Sequence, residues 1–278
     1  MEKPKTLSQL SEPIAIGRSA EIYPWQPGKV IKLFFAGFSP SEIESEFQNT
    51  CEADRRGVCG MRCYEKVPIE NRVGIVLDRV EGVSLTRLSE KSLPAFFSLP
   101  RKLAELHAGL HGKKSESLKE IRSFAKSMLD LKPLDFLGEE EKGRAGALID
   151  ALPGGSAILH MDFHPENVLV QGDSYVIIDW MTAARGNPAA DVAYTYFLMH
   201  DAELWPGTPK LKLIFYNIVR NYILRGYLKE YRKMTGMTME EINAWRLSIL
   251  LLRLGLWDID SERDRLRTEI RAIISRIG

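Results

Sequence analysis

Short apolar runs bounded by glycine and proline open the chain. "PIAIGRSAEIYPW" and "GKVIKLFF" have the length and pattern of β-strands. In "SPSEIESEFQNTCEADRRG", Ile43, Phe47 and Cys51 recur at a four-residue spacing, which predicts a helix with one apolar face. Ser39 suits its N-cap, Pro40 its first turn, and Glu42 would complete a capping box. "CYEKVPI" and "RVGIVLDRV" read as two further strands, so the order is three strands, a helix and two strands, ending near Glu81-Gly82. Beyond that point the pattern turns helical. Leu103, Leu106 and Leu110 mark one side of a helix in "LPAFFSLPRKLAELHAGLHG", and a second helix fits 118–131. One β-like island interrupts: "NVLVQ" and "SYVIIDW", separated by Gly172-Asp173, predict a hairpin. Helical patterns resume at about 211–233, 239–257 and 261–276.

Composition narrows the class. The chain has 278 residues, enough for one large domain or two lobes with substantial cores. With 45% hydrophobic and 27% charged residues it reads as globular, and a net charge of +1 gives no reason to expect a nucleic-acid partner. The start, "MEKPKTLSQLSEP", lacks the apolar core of a signal peptide, and "LSILLLRLGLW" is too short to span a bilayer and carries Arg253. The expectation is a cytoplasmic protein with no membrane partner. Cys51, Cys59 and Cys63 fit no common zinc spacing, and their odd number argues for reduced thiols used in packing.

The chemistry concentrates in "LHMDFHPENVLVQGDSYVIIDW", residues 159–180. Pro165 makes the stretch between Asp162 and Asn167 a loop. A hairpin brings its ends together, so Asn167 before the first strand and Asp179 after the second should be neighbours. Their oxygens are hard ligands suited to Mg²⁺, which keeps waters and binds through few protein groups plus phosphates. Asp162 is then free to accept a proton from an acceptor hydroxyl. His160 and His164 have the i, i+4 spacing of a zinc pair, but in a proline-containing loop and not on a helix. No G-x-S-x-G nucleophile elbow occurs.

H-x-D-x-x-x-x-N followed by a strand ending I-I-D resembles the catalytic loop and metal-binding segment of the kinase fold. The longer run "LHMDFHPENVLV…VIIDWMTAARGNPAADVAYTYFLM" resembles the aminoglycoside phosphotransferase and choline kinase-like family of small-molecule kinases. The resemblance extends from about Ile14 to Leu198; the later residues resemble the family only in being helical. It implies an α+β, bilobal protein kinase-like fold, with a nucleotide-binding lobe at 1–82 and a helical lobe with the acceptor site at 83–278. It implies Mg²⁺ and ATP, with GTP not excluded, and a small-molecule acceptor. Lys32, in "KVIKLFF", takes the place of the phosphate-holding lysine, and Glu46 that of its helix partner, ahead of Glu42 and Glu44. Gly17, Arg18 and Ser19 form a reduced glycine loop whose backbone would cover phosphates. Backbone groups of Asp78, Arg79 and Val80 stand at the hinge, where the adenine is held. Asp191 would brace the catalytic loop, with His160 as scaffold. Met161 replaces the arginine of many regulated protein kinases, and only about a dozen residues separate Asp179 from Asp191. That leaves little chain for a protein-substrate platform.

The expected activity is transfer of the γ-phosphoryl group of ATP to a hydroxyl of an aminoglycoside, an amino alcohol or a sugar-like metabolite. Two other readings compete: a pseudokinase-like nucleotide-binding module, and a metal-dependent hydrolase, which leaves Lys32 and its helix partner unexplained. From residue 190 onward there are 14 Lys and Arg against 11 Asp and Glu, so the region expected to hold the acceptor is not acidic. Among its tryptophans, Trp205, Trp245 and Trp257, the last is the expected acceptor contact, together with Asp258. Trp245 and Trp257, twelve residues apart, cannot share one helix face.

Overall fold

The computed structural model describes residues 6–203 and 209–276. The elements run β1 (Ala15–Ile16), β2 (Ala20–Gln26), β3 (Lys29–Phe34), α1 (Pro40–Arg55), β4 (Cys63–Ile69), β5 (Arg72–Asp78), β6 (Val83–Ser84), α2 (Leu85–Lys91), α3 (Leu93–His111) and α4 (Ile121–Ser127). They continue with α5 (Glu139–Asp150), β7 (Ala157–Leu159), β8 (Val168–Gln171), β9 (Ser174–Ile177), β10 (Ala184–Gly186), α6 (Pro188–His200), α7 (Lys210–Thr235), α8 (Met239–Ala244), α9 (Arg246–Trp257) and α10 (Asp260–Ser275). The fold is α+β, with an antiparallel N-terminal sheet and a helical C-terminal part.

Two compact units form. One holds Met1–Lys91 and Pro165–Ala183, the other Ser92–His164 and Ala184–Gly278. The segment 165–183 joins the first unit because β6 pairs with β8, and β8 with β9, in a three-stranded sheet. Gly82 lets these strands approach: a Cβ there would lie 2.5 Å from the Val170 carbonyl oxygen.

In the first unit the five-stranded sheet has the order β1-β2-β3-β5-β4, all antiparallel. Alternation along β3 sends Ile31 and Leu33 to a core with Trp25, Val67, Ile69 and Val76, and Lys32 to the opposite face. Helix α1 starts with Pro40 in its first turn as expected, but the Ser39–Glu42 capping box does not form. The Ser39 hydroxyl meets that of Ser41 at 2.8 Å, and only its carbonyl receives the N–H groups of Glu42 and Ile43. The inward face of α1 carries Ile43, Glu46, Thr50 and Ala53.

In the second unit α3 packs along α7. Gly226 permits the approach, since a Cβ there would lie 2.7 Å from the ring of Pro100. The periodic stretch at 239–257 is two helices, broken at Trp245, whose side chain is fully buried. The three cysteines are free, and burial pushes the Cys59 thiol up to about 11. Among the described residues no helix is long and apolar enough to cross a membrane.

Candidate functional site

Lys32 sits mid-strand, between Ile22 of β2 and Ile75 of β5. Its Nζ makes a short hydrogen bond to Glu46 and a second, at 3.1 Å, to Asp179 Oδ1. The Lys32 and Glu46 side chains are 13% and 4% exposed, whereas that of Asp179 is 41% exposed. Burial alone would lower the lysine pKa; Asp179 and Glu46 outweigh it and hold the ammonium above its ordinary value. So the first unit presents an oriented cation beside a partly exposed carboxylate. Glu46 falls at one of the inward positions 43, 46, 50 and 53, where apolar residues would be expected. That misplaced charge distinguishes it from Glu42, which is exposed, and from Glu44, which pairs with Lys66 at the surface.

Asp179 has φ 66°, in the left-handed region, two residues past the end of β9. The residue before it, Ile178, donates its N–H to the Asn167 carbonyl at 3.0 Å, so the hairpin ends do meet. Trp180, fully buried, donates its indole N–H to the Ile177 carbonyl. The Asn49 amide reaches the carbonyls of Trp180, Met181 and Ala183, fixing the chain after Asp179. Asn167 and Asp179 carry oxygen donors of the hard kind that Mg²⁺ takes.

The other expected nucleotide contacts are partly engaged within the protein. The N–H groups of Asp78 and Arg79 donate to the carbonyls of Arg62 and Gly28, and the Asp78 carboxylate accepts from Arg62 N–H and Tyr64 OH. Of the residues expected at the hinge, Asp78 and Arg79 thus have their N–H groups engaged within the protein. In the β1–β2 turn Gly17 N–H donates to Ala20 O, while Gly17 and Arg18 are exposed and Ser19 is half-buried.

In the second unit Asp162 follows Met161, a buried residue at φ 59°. A left-handed methionine costs on the order of 1 kcal/mol or more and needs a compensating hold. Asp191 supplies it: its carboxylate accepts the N–H groups of both His160 and Met161. It stands in the first turn of α6, where the helix dipole favours an anion. His107 Nε2 and His111 Nε2 lie 3.1 and 3.2 Å from its Oδ2. Their Nδ1 atoms share hydrogens with the hydroxyls of Tyr227 and Tyr231, each at 2.6 Å. Burial would raise the Asp191 pKa, but the two histidines outweigh it and hold the carboxyl well below its usual range. The His107 ring also stacks on Phe163 at 4.0 Å, and Thr195 donates to the Phe163 carbonyl. The backbone of the 160–163 loop thus rests on a buried polar frame.

Asp162 itself is 25% exposed, with His164 Nε2 at 3.7 Å. The buried Tyr194 hydroxyl lies within electrostatic reach of Asp162, Arg253 and Trp257. Burial pushes Tyr194 up to about 12, with Arg253 pulling down and Asp162 pushing up. Trp257 is half-buried at the end of α9. The Asp258 carboxylate is held by Arg263 at 2.6 Å, and Asp260 by the same guanidinium, so the acidic edge expected there is neutralised. Trp205 lies outside the described residues.

Sequence reasoning missed the tyrosine–histidine frame, Asn49 and Tyr194. A signal existed for the frame. His107 and His111 on α3, and Tyr227 and Tyr231 on α7, each stand four apart and share a helix face.

A profile of the phosphotransferase enzyme family matches residues 68–236, more than half of the chain, and the chain belongs to that family. No curated protein matches the sequence. Among solved structures the chain is similar to a thermostable mutant of aminoglycoside phosphotransferase APH(4)-Ia, at 16% identity and TM-score 0.64, covering 98% of this chain and 96% of that one. A ternary complex of such a mutant with ADP and hygromycin B matches at 16% identity and TM-score 0.63, over 96% and 95% of the two chains. A choline/ethanolamine kinase family protein from Mesorhizobium loti matches at 17% identity and TM-score 0.53, over 95% and 85%. At these identities the likeness concerns the fold.

Proposed function

We propose that this phosphotransferase moves the γ-phosphoryl group of ATP to a hydroxyl of a small molecule. The observation that carries the reading is the Lys32 ammonium held between buried Glu46 and partly open Asp179. A structural ion pair needs one carboxylate; a second, exposed carboxylate in a left-handed turn serves a ligand.

In this mechanism Lys32 binds the inner phosphates, and Glu46 keeps its ammonium charged and aimed. Asn167 and Asp179 would hold Mg²⁺, which when bound neutralises phosphate charge. Val80 and neighbouring carbonyls receive the adenine, and the Gly17–Ser19 turn covers the phosphates. Asp162 orients the acceptor hydroxyl and takes its proton as the phosphoryl group leaves ADP. Asp191 holds the backbone of His160 and Met161, and so the approach of Asp162. Positioning and charge neutralisation supply most of the acceleration. The neighbours bind aminoglycoside and nucleotide in one case and are named for choline or ethanolamine in another. An amino alcohol, an aminoglycoside or a sugar-like alcohol is the matching acceptor class.

The test is ATP consumption across a panel of such alcohols, with wild-type protein and Asp162→Asn. Acceptor-dependent ADP release in the wild type alone supports the assignment. Acceptor-independent hydrolysis that survives in the variant replaces it with a hydrolase.

A further inference from the structure

The face of α7 that turns away from the core is apolar over its first three turns. Leu211, Phe215, Ile218 and Tyr222 follow one another at spacings of four, three and four, the repeat of a coiled-coil seam. Leu93 and Phe97 of α3 extend the patch sideways, where Tyr222 meets Phe97 edge-on and stacks on Phe96 at 5.2 Å. These six seam and flanking residues are each 42 to 82% exposed. A soluble protein scatters such residues; it does not line them up on one helix.

We infer that this face joins two copies of the chain through an antiparallel α7–α7 pair. The spacing is self-complementary. About a two-fold axis midway between 215 and 218, Phe215 meets the partner's Ile218, and Leu211 meets the partner's Tyr222. A two-fold dimer requires such reciprocity. The six side chains present roughly 700 Å² per subunit, close to the ~800 Å² per partner of a standard stable interface. The apolar stretch spans about 16 Å of helix, and the basic residues Arg225, Lys229, Arg232 and Lys233 follow beyond it. Between 210 and 229 the helix carries five Lys and Arg and no Asp or Glu. Arg220 turns inward to the carbonyls of Leu198 and Ala202. In this antiparallel register the basic stretches of the two copies lie at opposite ends of the seam, so the pair is held by apolar contact and depends little on salt.

Sedimentation equilibrium of the full chain at micromolar concentration tests the inference. The expected result is a dimer whose dissociation constant changes little with salt. Phe215→Glu and Ile218→Glu, both at exposed positions, should weaken it at least tenfold without moving the thermal midpoint. The double variant Phe215→Cys/Ile218→Cys should form an interchain disulfide under mild oxidation that the wild type does not. A monomeric wild type overturns the inference, as does a dimer indifferent to both glutamates. A wild-type monomer that sediments with anionic phospholipid vesicles, less so in high salt, would assign the face to a membrane surface instead.

Discussion

At the residue scale, the arrangement separates three roles that single substitutions can distinguish. Asp162→Asn keeps size but removes the proposed proton acceptor. We expect turnover to fall by about 10²- to 10⁴-fold, with Mg·ATP affinity within about threefold of wild type. Asp179→Ala should do the reverse first, weakening nucleotide binding in the presence of Mg²⁺ and little without it. Equal loss of nucleotide binding in the two variants, by titration with and without Mg²⁺, would rule out this division. Lys32 differs because its partner is buried: Lys32→Met leaves Glu46, 4% exposed, without its ammonium. Breaking a buried pair costs about 3–5 kcal/mol. Lys32→Met/Glu46→Gln should recover most of that stability in urea unfolding while activity stays lost. If the double variant is no more stable than the single, Glu46 is not held charged by Lys32. Asp162, Asn167 and Asp179 were legible as candidates before the structure because they lie within one stretch of chain, and Glu46 through the family resemblance. The left-handed turns at Met161 and Asp179 were not, because neither residue type announces positive φ as glycine does.

At the element scale, the long periodic helices and the hairpin stood out in the pattern, and the short or weakly patterned elements did not. Helix α5 is acidic in its first turn and carries Gly143 and Gly146, so its apolar stripe is thin. Strands β6 and β10 have two and three residues, too few for a period to show. The contact of α3 with α7 behind the 160–163 loop joins positions 120 residues apart, and the i, i+4 pairs mark a shared face on each helix but not which helix it meets. It has a measurable consequence. Burial pushes His107 down to about 4 from an ordinary 6.5, so the folded chain keeps this ring neutral while the unfolded chain protonates it below 6.5. The folded pKa is depressed for a base, so stability is full above 6.5 and declines as pH falls toward 4. A fall from 6.5 to about 4 corresponds to a contribution on the order of 3 kcal/mol. Asp191, held low in the folded state, adds acid sensitivity in the same direction below its unfolded value of 3.8. Urea midpoints between pH 7 and 4.5 should fall steeply in the wild type and more gently in His107→Gln. Parallel pH profiles would remove His107 as the cause.

At the scale of the whole molecule, the chain does not divide at one point. It passes between the two compact units three times, and 165–183 belongs with the N-terminal sheet. Hydrophobic period reports which face of a segment is buried but not against which distant segment, so the pairing of Val83–Ser84 with Leu169–Val170 could not be read from the sequence. The division gives a functional expectation. Lys32, Glu46, Asn167 and Asp179, the proposed nucleotide and metal groups, lie in the first unit; Asp162, Tyr194, Arg253 and Trp257 lie in the second. The groups in the first unit act on phosphates and metal and cannot tell one alcohol from another, so acceptor choice must rest in the second. Trp245 is fully buried and serves the core, whereas Trp257 is half-buried beside a tyrosine that senses the Asp162 charge. The nearby acids Asp258 and Asp260 are paired with Arg263, which leaves the indole face as the proposed recognition element, suited to a cation or a sugar ring. Trp257→Ala should therefore raise the acceptor KM by tenfold or more, about 1.4 kcal/mol, while the ATP KM stays within about threefold. Trp257→Phe, which keeps an aromatic face, should recover most of the loss. An unchanged acceptor KM in a folded alanine variant would place the specificity surface elsewhere in the second unit. A parallel rise in both constants would show instead that Trp257 supports the loop carrying Asp162.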